Sequence, residues 1–188
     1  TALYYDLPRY LPFWQEVEKL DVPFYLHPRN PMASQLRIYE GHPWLLGSAW
    51  AFGIETSTHA LRLMASGLFD KCPGLKIVLG HLGEGLPSSI WRVDHRIKLG
   101  GERTHAQKPL AEYFRSNFHI TTSGNFHDST LVSAMAELGA DRIMYSVDYP
   151  FEYFEEAAQW FDNVAISEPD RQKIGRQNAL SLFKLNQD

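Results

Sequence analysis

Four short apolar runs recur along the chain, and three of them stop at a side chain that can bind a metal or move a proton. Val22-Pro23-Phe24-Tyr25-Leu26 leads into His27, and Lys76-Ile77-Val78-Leu79 into Gly80-His81. Arg142-Ile143-Met144-Tyr145-Ser146 leads into Val147-Asp148, and Phe118 to Thr122 into Ser123-Gly124-Asn125. Runs this short, bounded by Gly and Pro, read as strands. Aliphatic runs without strict alternation indicate strands covered on both faces. Helical spacing fills the gaps. Phe13 to Leu20 reads as the end of an amphipathic helix, and Ala51 to Leu68 carries Ile54, Leu61, Met64 and Leu68 at helical intervals. Leu86 to Leu99 and Ser129 to Leu138 follow, the latter stopped by Gly139. Two more helices are expected after Pro150, with Pro169 in the first turn of the second. Residues 32–48, with Gly41, Pro43 and Gly47, read as a long loop. Strand alternating with helix predicts βαβ units and a parallel sheet of the α/β class. Its strands would end at one edge, where barrels and doubly wound sheets keep their active sites.

Several function classes are disfavoured at once. Lys plus Arg number 18 against 22 Asp plus Glu, a net charge of −4, which is a poor match for nucleic acid or an anionic membrane. No apolar stretch is long enough to span a bilayer. The string Gly80-His81-Leu82-Gly83-Glu84-Gly85 spaces its glycines wrongly for a dinucleotide fingerprint, and no Walker-type loop is present. The single cysteine, Cys72, cannot form an internal disulfide and reads as inert, so a cytoplasmic setting is expected.

Each candidate residue has a plain structural reading beside the chemical one. His27 could be a hydrogen-bonded histidine, and Asp148 could cap the helix that follows. His81 and Glu84, three apart, could fix a tautomer and shuttle a proton. Taken together, imidazoles and a carboxylate at one sheet edge suit zinc or manganese. Glu55 and His59 lie four apart on a helix; the reading favoured is a surface pair rather than a metal site. His95, His105, His119 and His127 read as structural. Arg92 could form a surface salt bridge or pair with a substrate carboxylate. Trp44, Trp50 and Phe151 lie in loops by the strand ends; Phe151, three residues past Asp148, could stack on an aromatic ligand.

The strings Phe24-Tyr25-Leu26-His27-Pro28-Arg29-Asn30-Pro31, Gly80 to Pro87 (GHLGEGLP) and Ser146 to Glu152 (SVDYPFE), in this order, resemble the metal-dependent hydroxybenzoate decarboxylases of the amidohydrolase superfamily. The likeness runs from about Tyr5 to Leu185. It implies a (β/α)8 TIM barrel in which His27 matches a metal histidine at the end of the fifth strand. His81, at the end of the sixth, is paired with Glu84. Asp148, at the end of the eighth, matches a residue that binds metal and donates the proton. Arg92 and Phe151 match positions near the substrate. The family's Glu-x-Ala or Glu-x-His motif on the first strand has no counterpart here, and a full barrel needs about 250 residues. Residues 1–188, opening on Thr1, are therefore expected to be the C-terminal part of one barrel domain, holding strands five to eight.

The resemblance, which covers 2,3-dihydroxybenzoate, γ-resorcylate and salicylate decarboxylases without separating them, implies non-oxidative decarboxylation of an ortho-hydroxybenzoate, with 2,3-dihydroxybenzoate as the expected substrate. It also implies a divalent metal (Zn²⁺ or Mn²⁺, with Mg²⁺ as a third candidate), no organic cofactor, and a homodimer or homotetramer. Two alternatives stand beside it: a metal-dependent hydrolase of the same superfamily, and a non-catalytic fragment lacking the N-terminal ligands.

Overall fold

The four apolar runs form one parallel sheet. In the computed structural model, which describes residues 4–185, β1 (Phe24–Tyr25), β2 (Ile77–Leu79), β3 (Phe118–Thr121) and β4 (Ile143–Met144) pair in sequence order. Tyr25 stands opposite Val78, Val78 opposite His119, and Thr121 opposite Met144. Parallel neighbours require long return connections, and helices supply them. α1 (Leu11–Leu20) precedes β1; α2 (Ala51–Ala65) and α3 (Leu68–Lys71) lead to β2. α4 (Leu86–Gly100) and α5 (Leu110–Asn117) lead to β3, and α6 (Asp128–Leu138) to β4. α7 (Phe154–Asn163), α8 (Glu168–Gln172) and α9 (Asn178–Leu182) follow, with a π-turn at Lys173–Gln177 joining the last two.

Alternation along each strand gives the sheet two different faces. Ile77, Leu79, Phe118, Ile120 and Ile143 point one way, into the main core. There they meet Leu63, Ile90, Phe114 and Leu131 from α2, α4, α5 and α6, all fully buried. Val78 and Met144 lie on the other face and are covered by Leu182 and Ala179 of α9. Below them Asp21 holds Lys76 at 2.5 Å and also pairs with Lys184, fastening the C-terminal segment to the N-terminal ends of the strands. His119 shares this face; burial and then Arg142 push its pKa down to about 4, so it stays neutral and accepts from Arg142 at 3.0 Å.

Two elements depart from the sequence pattern. Residues 32–48 fold as three 3₁₀ turns, Ala33–Tyr39, Pro43–Leu45 and Gly47–Ala49. α5 is not announced by any cap of its own. Its first free amides, Leu110 and Ala111, donate to the Asp94 carboxylate of α4 at 2.8 and 2.9 Å, so a distant residue does the capping.

Phe114 sits at the junction of α5 with the sheet, fully buried 5.6 Å from the Phe118 ring. Phe114→Ala should cost about 3–5 kcal/mol of stability. Denaturant unfolding of the intact protein measures it, and a loss below about 1 kcal/mol would remove Phe114 from the core.

Candidate functional site

The chain leaves β2 through an unusual turn. His81, Leu82, Gly83, Glu84 and Gly85 all have φ between +51° and +81°. Three of these are not glycine, and left-handed backbone costs such residues about 1–2 kcal/mol each. The turn brings His81 Nδ1 to 2.6 Å from Glu84 Oε1. An ionised carboxylate only accepts, so Nδ1 carries the proton and Nε2 is left facing outward. Nε2 lies 3.6 Å from Asp148 Oδ2. Asp148 itself has φ +80°, which swings its carboxylate back over the sheet edge. Gly124, on the loop after β3, lies against both groups. A Cβ there would stand 3.1 Å from His81 Cδ2 and 3.4 Å from Asp148 Oδ2, at a φ of +64°. Three strand ends thus meet at one point.

The hydrogen bond to Glu84 raises the His81 pKa above the ordinary imidazole value; burial opposes this and the Asp148 charge adds to it. The Glu84 side chain is only 5% exposed, so its charge is poorly screened by water. His27 has a different environment. Its Nδ1–H donates to the Pro28 carbonyl at 2.9 Å, which leaves Nε2 with a free lone pair. His27 and Asp148 line an open cleft of about 470 Å³ together with Tyr25, Ser123, Tyr149 and Phe154. His81 and Glu84 border a neighbouring hollow of about 540 Å³ beside Trp50, Ile54 and Asn125.

The donor set fits a divalent cation in part. A carbonyl-oriented imidazole and a carboxylate in one cleft are borderline ligands of the kind zinc and manganese accept. Among the described residues no group of three or more His, Cys, Asp or Glu is close enough to hold a metal. His27 and Asp148 line one cleft, and among the described residues no third His, Cys, Asp or Glu stands with them to complete a metal site.

Some expected residues lie outside the cleft. Phe151 is 80% exposed: its amide closes a turn on the Asp148 carbonyl at 2.9 Å, and the ring points to solvent. Tyr149 and Phe154, stacked 4.8 Å apart, line the cleft instead. Arg92 is exposed on α4 and lines neither hollow. The pair Glu55 and His59 is not a helix-surface pair. Glu55 is buried, bonded to the Tyr4 hydroxyl at 2.6 Å and to Arg29 at 2.8 Å. His59 accepts from the Tyr5 amide, and burial lowers its pKa to about 4. Glu55 and His59 both line a small cavity of about 180 Å³ that His27 and Arg29 also border. Cys72 is buried and its thiol pKa is raised by that burial, in keeping with an inert role.

Residues 2–185 match the family described as amidohydrolase. The chain belongs to the amidohydrolase family. Within it, the likeness is to hydroxybenzoate decarboxylases. A γ-resorcylate decarboxylase of Rhodococcus jostii is 61% identical over 188 residues, covering 99% of this chain and 57% of that protein. The 2,6-dihydroxybenzoate decarboxylase structure from Rhizobium superposes with a TM-score of 0.95 at 61% identity, over 98% of this chain and 58% of that one. A dihydroxybenzoic acid decarboxylase from Polaromonas, solved with manganese and the inhibitor 2-nitroresorcinol, gives 0.96 at 59% identity, over 100% and 57%. This amidohydrolase-family chain thus spans under two thirds of the length of these relatives. No described helix is long and apolar enough to cross a membrane.

The His81–Glu84 contact makes a direct prediction for the metal-free protein. Glu84→Gln removes the anion that favours imidazolium, so the His81 pKa should fall. The raised pKa contributes stability that is fully present below the unfolded value of about 6.5 and is lost as pH rises through the folded value. The variant should therefore lose stability on the acidic side and converge with wild type at alkaline pH. An NMR titration of the His81 ring reads the shift; an unchanged midpoint would show that Glu84 does not set it.

Proposed function

We propose that this chain is the second half of an amidohydrolase barrel, strands five to eight, and supplies the proton-transfer side of a hydroxybenzoate decarboxylase. The four parallel strands in sequence order and the family match support the barrel reading. The 57–58% coverage of the relatives is consistent with it. The observation that carries the activity is the convergence of His81 Nε2 and Asp148 Oδ2 at 3.6 Å, with Glu84 behind the imidazole. The relatives are γ-resorcylate (2,6-dihydroxybenzoate) decarboxylases, which supports 2,6-dihydroxybenzoate rather than the 2,3-isomer expected by resemblance, and the Polaromonas structure holds manganese.

His27 and Asp148 are the residues of this chain that would hold the metal. The metal would supply Lewis acidity that gathers the substrate carboxylate and the neighbouring phenol oxygen. Asp148 delivers a proton to the carboxyl-bearing ring carbon. The C–C bond then breaks, CO2 leaves, and the bonding pair restores the aromatic ring. His81, whose pKa is raised by its hydrogen bond to Glu84, faces the same carboxylate and can return a proton through Nε2. Tyr149 and Phe154 line the cleft beside Asp148 and can contact the ring. Arg92 and Phe151 are exposed in this chain, and their assignment to the substrate rests on the family resemblance alone.

Two measurements test this. The intact protein, loaded with Mn²⁺, should convert 2,6-dihydroxybenzoate to resorcinol and CO2 while leaving 4-hydroxybenzoate untouched; equal turnover of both would contradict it. Asp148→Asn keeps size and one oxygen but removes the transferable proton. At saturating metal and substrate its kcat should fall by about 10²–10⁴-fold. Recovery of most of the rate on adding metal would leave Asp148 as a ligand only.

A further inference from the structure

The floor of the cleft is made of hydroxyls that no part of the mechanism above uses. Tyr25 closes β1, Thr121 closes β3, and Ser123 follows it; alternation and the shared register put Tyr25 and Thr121 on the same sheet face. Their side chains meet across two strands. Tyr25 OH lies 3.0 Å from Thr121 Oγ1, and Thr121 Oγ1 lies 2.7 Å from Ser123 Oγ. Thr121 and Ser123 are buried at 5% and 2% exposure, whereas the Tyr25 residue is 43% exposed. Gly80, just past the end of the intervening strand β2, leaves room for the cluster: a Cβ there would stand 3.2 Å from both Tyr25 OH and Ser123 Oγ.

Counting protons shows what the cluster can do. Three hydroxyls carry three protons. The two short contacts use two of them. Thr121 is buried, so it donates in one of these contacts rather than leaving its own proton without an acceptor. The remaining proton then belongs to Tyr25 or Ser123, and the 3.5 Å between those two is too long to hold it well. Both groups line the cleft shared with His27 and Asp148. The floor therefore presents a proton to the cleft and, through the other oxygen, lone pairs. That is the complement of a phenolic hydroxyl, which both donates and accepts.

We propose that Tyr25, Thr121 and Ser123 form the subsite for the second ortho-hydroxyl of the aromatic acid. The inference rests on the decarboxylase reading. A benzoate with hydroxyls at both ortho positions can present only one of them to a metal together with its carboxylate. The other lies on the opposite flank of the carboxylate and loses its water when the cleft fills. An unpartnered hydroxyl there would oppose binding, and a hydroxyl-lined floor removes that cost. A site built this way rejects analogues that lack the group.

The test compares two unreactive probes, 2-nitroresorcinol and 2-nitrophenol, by calorimetric titration of the intact Mn²⁺-loaded protein. The first carries two ortho-hydroxyls and the second only one. Symmetry alone favours 2-nitroresorcinol by a factor of about two, from RT ln 2. A hydrogen bond of ordinary net strength should add about a further fivefold. Tyr25→Phe and Ser123→Ala should each bring the preference down towards the symmetry factor while leaving the 2-nitrophenol affinity within about twofold. Tyr25→Phe keeps the ring and its packing, and Ser123→Ala checks the same contact from the other strand. If wild type shows only the symmetry factor, or if both variants keep the full preference, the subsite is wrong and the decarboxylase reading stands. Equal loss of affinity for both probes also overturns it, since the hydroxyls would then only shape the cleft. Failure of wild type to bind either probe would overturn the functional reading and the subsite together.

Discussion

Four parallel strands can share a sheet only if each returns to the same end through a crossover packed on the sheet. That constraint orders everything else in the chain. It forces apolar residues onto the face that meets the helices, where Ile77, Leu79, Phe118, Ile120 and Ile143 are fully buried. It also sends every strand's exit to one edge, which is why residues as far apart in sequence as His27, His81 and Asp148 become neighbours. The chemistry of the site follows from the direction of the strands.

Proximity of strand ends does not by itself aim side chains, and the backbone supplies the aim. The left-handed turn from His81 to Gly85 curls the chain so that two residues three apart face each other. Its three non-glycine residues make the turn costly, and Leu82, buried at 1% exposure, helps to hold it through packing. Asp148 uses the same device at a single residue. The site is thus held by a stable sheet and core around a short, conformationally unfavourable segment.

The sequence displays the parts that depend on local pattern. Lys76 to Leu79, Phe118 to Thr121 and the helix from Leu86 are visible because aliphatic runs and helical spacing are properties of neighbouring residues. His81, Glu84 and Asp148 stand out because they punctuate such runs. What depends on distant partners is not visible. α5 owes its first turn to Asp94, 16 residues earlier. Phe151 looks like a wall of the site from its spacing, yet a turn on the Asp148 carbonyl directs it outward and puts Tyr149 and Phe154 at the cleft. The Tyr25–Thr121 contact joins residues 96 apart, and only strand register brings them together. His59 shows the reverse error: helical spacing suggests a surface pair, while Tyr4 and Tyr5 pack over the imidazole.

The central claim is that the ends of β1 and β4 jointly hold a divalent cation beside the His81–Glu84 pair. The most direct measurement is anomalous diffraction from crystals of the intact protein grown with Mn²⁺. The expected result is a peak within about 2.5 Å of both His27 Nε2 and an Asp148 carboxylate oxygen, with His81 Nδ1 still on Glu84. A manganese peak away from either His27 or Asp148, or an empty cleft at saturating metal, would contradict it.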